Sequence, residues 1–294
     1  AWPRPSSCEN APSLPGLHFH RWRPRRARHT AAIPPAVLSA NENPLGPSPK
    51  AIAAYGEAIH LNRYPDGGAT QLRQTLAAQF GLDVNRIVCG AGSDELITLL
   101  IRCYVGPGDE VLQTQHGFLM YGITANTVGA TTVLAPETPD LHTDVDALLA
   151  CVTDKTRICF VANPNNPTGT YIPGSELRRL RDGLREDILL VIDAAYSEYV
   201  DASDYSDGCD LVEDYQNVVM LRTFSKLYGL AALRLGWCYA PEAVVDALNR
   251  VRSPFNVNNS AQAAGIAALG DQDHVEISLA QNAEQLKRLC GALS

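Results

Sequence analysis

Three things are scarce in this 294-residue sequence, and each scarcity closes off a class of protein. Positive charge is outweighed, with 24 Lys and Arg against 32 Asp and Glu and a net charge of -8, whereas a nucleic-acid binder carries a basic face. Long apolar runs are absent: none approaches the ~20 residues that span a bilayer, although 46% of the chain is hydrophobic. Paired cysteine spacing is absent too. Cys8, Cys89, Cys103, Cys151, Cys159, Cys209, Cys238 and Cys290 are scattered with no C-x-x-C pair, several inside apolar runs. That favours buried thiols in a reducing cytoplasm over disulfides or zinc, so no metal site is expected. What is left is length enough for one large α/β domain and a smaller one.

Residues 1–35 stand apart from the rest. Pro3, Pro5, Pro12, Pro15 and Pro24 are mixed with Arg21, Arg23, Arg25, Arg26 and Arg28, and no hydrophobic period is visible. The stretch lacks the apolar core of a secretory signal and reads as an irregular or disordered leader. From Leu38 the composition changes. Asn41-Glu42-Asn43-Pro44-Leu45-Gly46-Pro47 is extended and turn-rich, and Lys50 to His60 and Thr70 to Phe80 read as helices.

Short apolar runs then alternate with helical segments to about residue 250, the pattern of a mainly parallel sheet covered on both faces. The strands are expected at Arg86–Cys89, Glu110–Gln113, Thr132–Leu134, Arg157–Ala162, Ile188–Ile192 and Val218–Leu221. The helices between them fall at Leu96–Tyr104, from His116-Gly117-Phe118 onward, at Asp144–Cys151 and at Ser175–Arg185. Helices at Pro241–Val251, Ser260–Leu269 and Asp273–Leu293 follow.

Four strand ends carry polar groups. Gly90-Ala91-Gly92-Ser93-Asp94-Glu95 turns from a strand straight into a helix, which offers free amides to an anion but taken alone is more often plain N-capping. Asn163-Pro164-Asn165-Asn166-Pro167-Thr168-Gly169 is more proline-rich than a simple turn requires. Asp193 ends a fully apolar strand. Lys226 follows another in Thr223-Phe224-Ser225-Lys226, with Arg234 eight residues on. Lys226 alone could be a surface charge. Lysine is also the side chain that forms Schiff bases with carbonyls when burial or a nearby charge lowers its pKa. Asn166, Asp193 and Lys226 at the ends of successive strands form a pattern, because ligands of open α/β sheets bind at the carboxyl ends of the strands. Phe118, at another strand-to-helix crossing, could lie over a flat ring or sit in the core.

Together these residues resemble the fold-type I pyridoxal-phosphate aminotransferases, and within them the histidinol-phosphate branch. The most specific pieces are Asn41–Gly46, Asn163–Gly169, Asp193-Ala194-Ala195-Tyr196, and Ser225-Lys226 with Arg234. The resemblance implies pyridoxal 5'-phosphate as cofactor, held as a Schiff base by Lys226, which then serves as general base. It implies that Asp193 pairs with the ring nitrogen, Asn166 and Tyr196 bond the ring oxygen, and Phe118 stacks on the ring. Arg234, Thr223, Ser225 and the amides of Gly92, Ser93 and Asp94 would hold the phosphate. Tyr64 would reach the cofactor of a second subunit, implying a cytoplasmic homodimer. The implied reaction moves the amino group of L-histidinol phosphate to 2-oxoglutarate.

The implied domains are a small-domain segment at 36–54, a large cofactor domain at 55–250 and the start of a C-terminal small domain at 251–294. Members of the family run some tens of residues further and carry there an arginine that clamps the substrate, for which there is no equivalent in this sequence. Weak turnover is therefore expected. The alternatives within the fold are a threonine-phosphate decarboxylase and an aromatic aminotransferase; outside it, an inactive remnant. A dinucleotide-binding dehydrogenase is disfavoured because Gly90-Ala91-Gly92-Ser93 lacks the third glycine and the distal acid.

Overall fold

Leu189-Leu190-Val191-Ile192 is apolar at every position, a pattern that suits a strand covered on both faces. The computed structural model, which describes residues 40–293, places it so. Leu190 and Ile192 enter one core, and Leu189 and Val191 enter another on the opposite side of the sheet. The same division holds for Val218 and Met220 against Val219 and Leu221.

The described chain begins with helices α1 (Pro49–Glu57) and α2 (Thr70–Phe80), then strand β1 (Ile87–Gly90) and α3 (Ser93–Tyr104). Next come β2 (Glu110–Thr114), α4 (Met120–Thr127), β3 (Thr131–Ala135), α5 (Val145–Ala150), β4 (Thr156–Ala162) and α6 (Gly174–Gly183). They are followed by β5 (Leu189–Asp193), α7 (Cys209–Asp214), β6 (Val218–Thr223) and β7 (Gly236–Tyr239). The helices α8 (Glu242–Val251), α9 (Asn259–Leu269) and α10 (Gln272–Leu293) complete it. The sheet runs β3-β2-β4-β5-β6-β7-β1, parallel from β3 to β6, with β7 antiparallel to both its neighbours. It is thus a mainly parallel α/β sheet, as expected, with β7 as a seventh strand beyond the six apolar runs. α2, α5, α6, α7 and α9 feed one core, and α3, α4 and α8 the other. Each fully buried Leu, Ile or Val contributes about 1.5–3 kcal/mol relative to exposure.

Helix starts follow local chemistry. Ser48, Asp144 and Asn258 accept from the amides of Ala51, Ala147 and Ala261, capping α1, α5 and α9. Pro49 at the first position of α1 gives up no bond.

Several expectations need correction. His116-Gly117-Phe118 lies ahead of α4, which starts at Met120, because Gly117 donates to Thr114 and closes a turn there. α1 ends at Glu57, and a tight turn carries the chain through His60. β7 and α7 escaped notice: Gly236-Trp237-Cys238-Tyr239 is too short to announce a strand, and it is fixed by pairing with β1 and β6. Among the cysteines, Cys89, Cys159 and Cys238 are buried, and burial pushes each thiol up to about 12. Cys8 and the leader at 1–35 lie outside the described residues. Among the described residues no helix is long and apolar enough to cross a membrane, and no group of three or more His, Cys, Asp or Glu could hold a metal ion.

Gly236 positions the site. It pairs with Thr223 of β6 and Gly90 of β1, and a Cβ there would lie 2.4 Å from the Ser93 nitrogen. Its bare backbone lets the start of α3 rest against the sheet. Gly236→Ala is expected to cost about 1–3 kcal/mol by overpacking, read as a lower urea midpoint; an unchanged midpoint would contradict this packing.

Candidate functional site

Neighbouring strands β4, β5 and β6 deliver Asn166, Asp193 and Lys226 to one cavity of about 230 Å³. Ser93, Asp94, Phe118, Tyr196, Thr223, Ser225 and Arg234 also line it, so most of the expected residues meet there. Ala40 and Glu42 cover it from the N-terminal segment.

Asp193 forms the buried end. It is 5% exposed; Oδ2 accepts from the Tyr121 hydroxyl at 2.8 Å and Oδ1 from the Ala195 amide at 3.2 Å. Burial pushes its carboxyl up to about 6, against the pull of those two donors; Asp94 adds to the rise and Lys226 opposes it. Lys226 Nζ donates to the Ala40 carbonyl at 3.0 Å and lies 5.5 Å from the centre of the Tyr196 ring. The Tyr196 hydroxyl accepts from Asn41 at 3.0 Å. The turn after Tyr196 is fixed from β6: Arg222, itself buried, pairs with Glu198 at 2.8 Å and Asp207 at 2.9 Å.

The opposite end suits an anion. α3 begins at Ser93, and the helix dipole and its unbonded first-turn amides point a partial positive charge outward. Gly92 has φ +87°, and a Cβ there would meet Arg234 Nη2 at 2.6 Å, so only glycine lets the guanidinium approach. Arg234 donates to Asp94 at 2.7 Å and to the Ala231 carbonyl at 3.1 Å. The Gly92 amide donates to Gly90 at 2.8 Å, which leaves Ser93 and Asp94 to supply the amides of the expected cradle. Thr223 Oγ1 accepts from the Ser225 amide at 3.1 Å, which fixes the Thr223 hydroxyl, and both residues line this cavity.

Tyr64 does not join the cavity. It is 82% exposed and stacks on Phe255 with ring centres 4.6 Å apart. Sequence reasoning missed Tyr121, because an aromatic three residues after Phe118 reads as core packing; nothing in the sequence reports its bond to Asp193. It also gave no role to Asn165, whose amide donates to His116 and Thr168, or to Asn43, which donates to Leu227 at 2.7 Å and Ser278 at 3.1 Å. Through Asn43 the N-terminal segment ties the Lys226 loop to α10. A second cavity of about 450 Å³ shares Glu42, Asn166 and Tyr196 with the first and is walled by Ser278, Gln281, Asn282 and Gln285 of α10.

Fold and site together define an enzyme type in which a lysine amine, a buried carboxylate and a helix N-terminus converge at strand ends. The chain belongs to the aminotransferase class I and II family, whose model matches residues 34–293. It is 59% identical over 258 residues to the histidinol-phosphate aminotransferase of Paramagnetospirillum magneticum, covering 87% of this chain and 71% of that one. It is 53% identical over 292 residues to the histidinol-phosphate aminotransferase of Rhodospirillum centenum, covering 98% and 77%. The crystal structure of the histidinol-phosphate aminotransferase from Sinorhizobium meliloti, in complex with pyridoxal-5'-phosphate, superposes with a TM-score of 0.81 at 31% identity, over 85% of this chain and 68% of that one.

The Asp193 carboxyl binds its proton more tightly folded than unfolded. Its stabilising contribution is therefore complete below about pH 4 and lost as pH rises through about 6. A rise from 3.8 to about 6 corresponds to on the order of 3 kcal/mol. Urea midpoints of the ligand-free chain from pH 4 to pH 7 are expected to fall less steeply in Asp193→Asn than in the wild type; equal slopes would contradict the burial argument.

Proposed function

We propose that this chain is a pyridoxal-phosphate-dependent aminotransferase that moves the amino group of L-histidinol phosphate to 2-oxoglutarate. The observation that carries it is the meeting of Lys226, Asp193 and Asn166 in one cavity at the ends of adjacent strands. The family and the identities of 53–59% to histidinol-phosphate aminotransferases support it.

The residues present fit the cofactor. Asp193 is a buried carboxylate with two hydrogen-bond donors but, among the described residues, no cation within ion-pair distance; a protonated ring nitrogen supplies that cation. The glycine-backed Arg234, the α3 N-terminus and the hydroxyls of Thr223 and Ser225 suit a phosphate. Bound there, the cofactor supplies an electron sink for the pair left on the substrate Cα when its proton departs.

The chain's own residues do the rest. Asp193 keeps the ring nitrogen protonated by remaining ionised beside it. Asn166 and Tyr196, between the two cavities, orient the ring oxygen. Phe118, held edge-on by Tyr121 with ring centres 5.6 Å apart and lining the cavity, would pack against the bound ring. Lys226 Nζ, released from Ala40, takes the proton from the substrate Cα. The larger cavity walled by α10 receives the rest of the substrate. We extend the proposal to a cytoplasmic homodimer in which the exposed Tyr64 serves a second copy's site, and to a second lobe beginning near residue 251.

The purified chain with pyridoxal phosphate is expected to show an absorbance band at the violet edge of the visible, and Lys226→Ala to lose it. A wild type without the band would overturn the cofactor assignment. Single-turnover titration with histidinol phosphate, phosphothreonine and phenylalanine tests the donor: histidinol phosphate is expected to discharge the band, and discharge by phenylalanine alone would overturn the substrate assignment.

A further inference from the structure

Among the described buried ionisable groups to which the mechanism above gives no task, one touches Asp193. Tyr121, on the first turn of α4, is 1% exposed, yet its hydroxyl is not a bystander of core packing: it donates to Asp193 Oδ2 at 2.8 Å. The ring is locked on two sides. It stacks nearly parallel on Phe160 of β4, with centres 4.4 Å apart and planes 7° apart, and meets Phe118 edge-on. A phenol clamped between two rings cannot swing away, so its hydroxyl is a fixed donor aimed at one oxygen.

Such a donor matters because of what surrounds the carboxyl. Asp94, from α3, opposes ionisation of Asp193, and Lys226, beyond β6, favours it. Tyr196 and Tyr205, from the segment between β5 and α7, are the other titratable groups nearby. Lys226 must give its amine to the carbonyl of a bound ligand, which removes its full positive charge from this balance. The Ala195 amide and the Tyr121 hydroxyl are then the donors left on the carboxylate, and hydrogen bonds to an ionised group are the stronger kind.

We propose that Tyr121 is a positioning residue for this active site, its hydroxyl holding Asp193 as an aimed carboxylate ready to receive a protonated pyridine nitrogen. The proposal rests on the cofactor assignment above and deepens it, by assigning the ionisation of Asp193 to a side chain that never touches the ligand. Burial of the Tyr121 phenol raises its own pKa well above the usual range, so it remains a donor throughout the pH range of the enzyme.

Tyr121→Phe removes the donor and keeps both ring contacts. Two measurements decide. In the cofactor-free chain, isotope-edited NMR of the aspartate carboxyl carbons follows Asp193, its signal assigned by loss in Asp193→Asn. The midpoint is expected to rise in Tyr121→Phe by about one pH unit, the worth of a hydrogen bond to a charged group. In the second, pyridoxal phosphate affinity is measured by equilibrium dialysis across pH. The variant is expected to bind about tenfold more weakly at pH 5 and within about twofold of wild type by pH 9, since one pH unit is a factor of ten in ionised fraction only below the midpoint. An unchanged carboxyl midpoint would overturn the proposal. A loss of affinity that is uniform across pH would overturn it too, because it would mark Tyr121 as packing alone. Failure of the wild type to bind pyridoxal phosphate would instead sink the cofactor assignment, and the carboxyl midpoint would still decide the role of Tyr121.

Discussion

A carboxyl group at the end of a fully apolar strand is in the wrong solvent, and the site is arranged around that fact. Asp193 sits where β5 leaves the sheet, flanked by β4 and β6 and 5% exposed. An uncompensated charge there is strongly unfavourable, which is why its carboxyl is pushed up to about 6 even with two donors in place. A ligand that brings a positive charge to this end relieves the strain and gains affinity from it. The same burial that disfavours the carboxylate charge favours a protonated heterocycle as its partner. At the opposite end the α3 dipole and Arg234 carry positive charge that suits an anion.

The N-terminal segment acts as a strap across this arrangement. Ala40 accepts from Lys226, Asn41 donates to Tyr196, and Asn43 reaches both Leu227 and Ser278 of α10. Four hydrogen bonds at Ala40, Asn41 and Asn43 hold the lysine, its loop, the tyrosine and α10. α1 then packs on α9, and Lys50 pairs with Asp271 at 2.9 Å at the turn before α10. The wall of the larger cavity is therefore coupled to the Lys226 loop by hydrogen bonds that run through the strap. Glu42, which lines both cavities, sits at the junction.

Much of the site was legible because parallel sheets write their ligands' contacts at strand ends. Asn166, Asp193 and Lys226 each follow an uninterrupted apolar run, and that local pattern survives without knowledge of which strands are neighbours. Helix α9 was legible from its alanine-rich composition and α10 from its amphipathic pattern. What could not be read depended on contacts distant in sequence. β7 exists because β1 and β6 leave a gap that its four residues fill. Tyr121 acts on a residue 72 positions away, and no local signal distinguishes it from a core aromatic. The α4 boundary was misplaced because Gly117 closes a turn that helical propensity alone does not foresee. Gly92 was expected to offer an amide; what the fold adds is the close approach of the Arg234 guanidinium to its bare Cα, which no local pattern announces.

The central claim is that one amine among the four lysines of this chain, Lys226 rather than Lys50, Lys155 or Lys287, faces the carbonyl of the ligand that Asp193 receives. Borohydride reduction of the chain with bound pyridoxal phosphate, followed by peptide mass mapping, tests it directly. The label is expected on Lys226 alone, at one equivalent per chain; a label spread over the other three, or confined to any one of them, would contradict it.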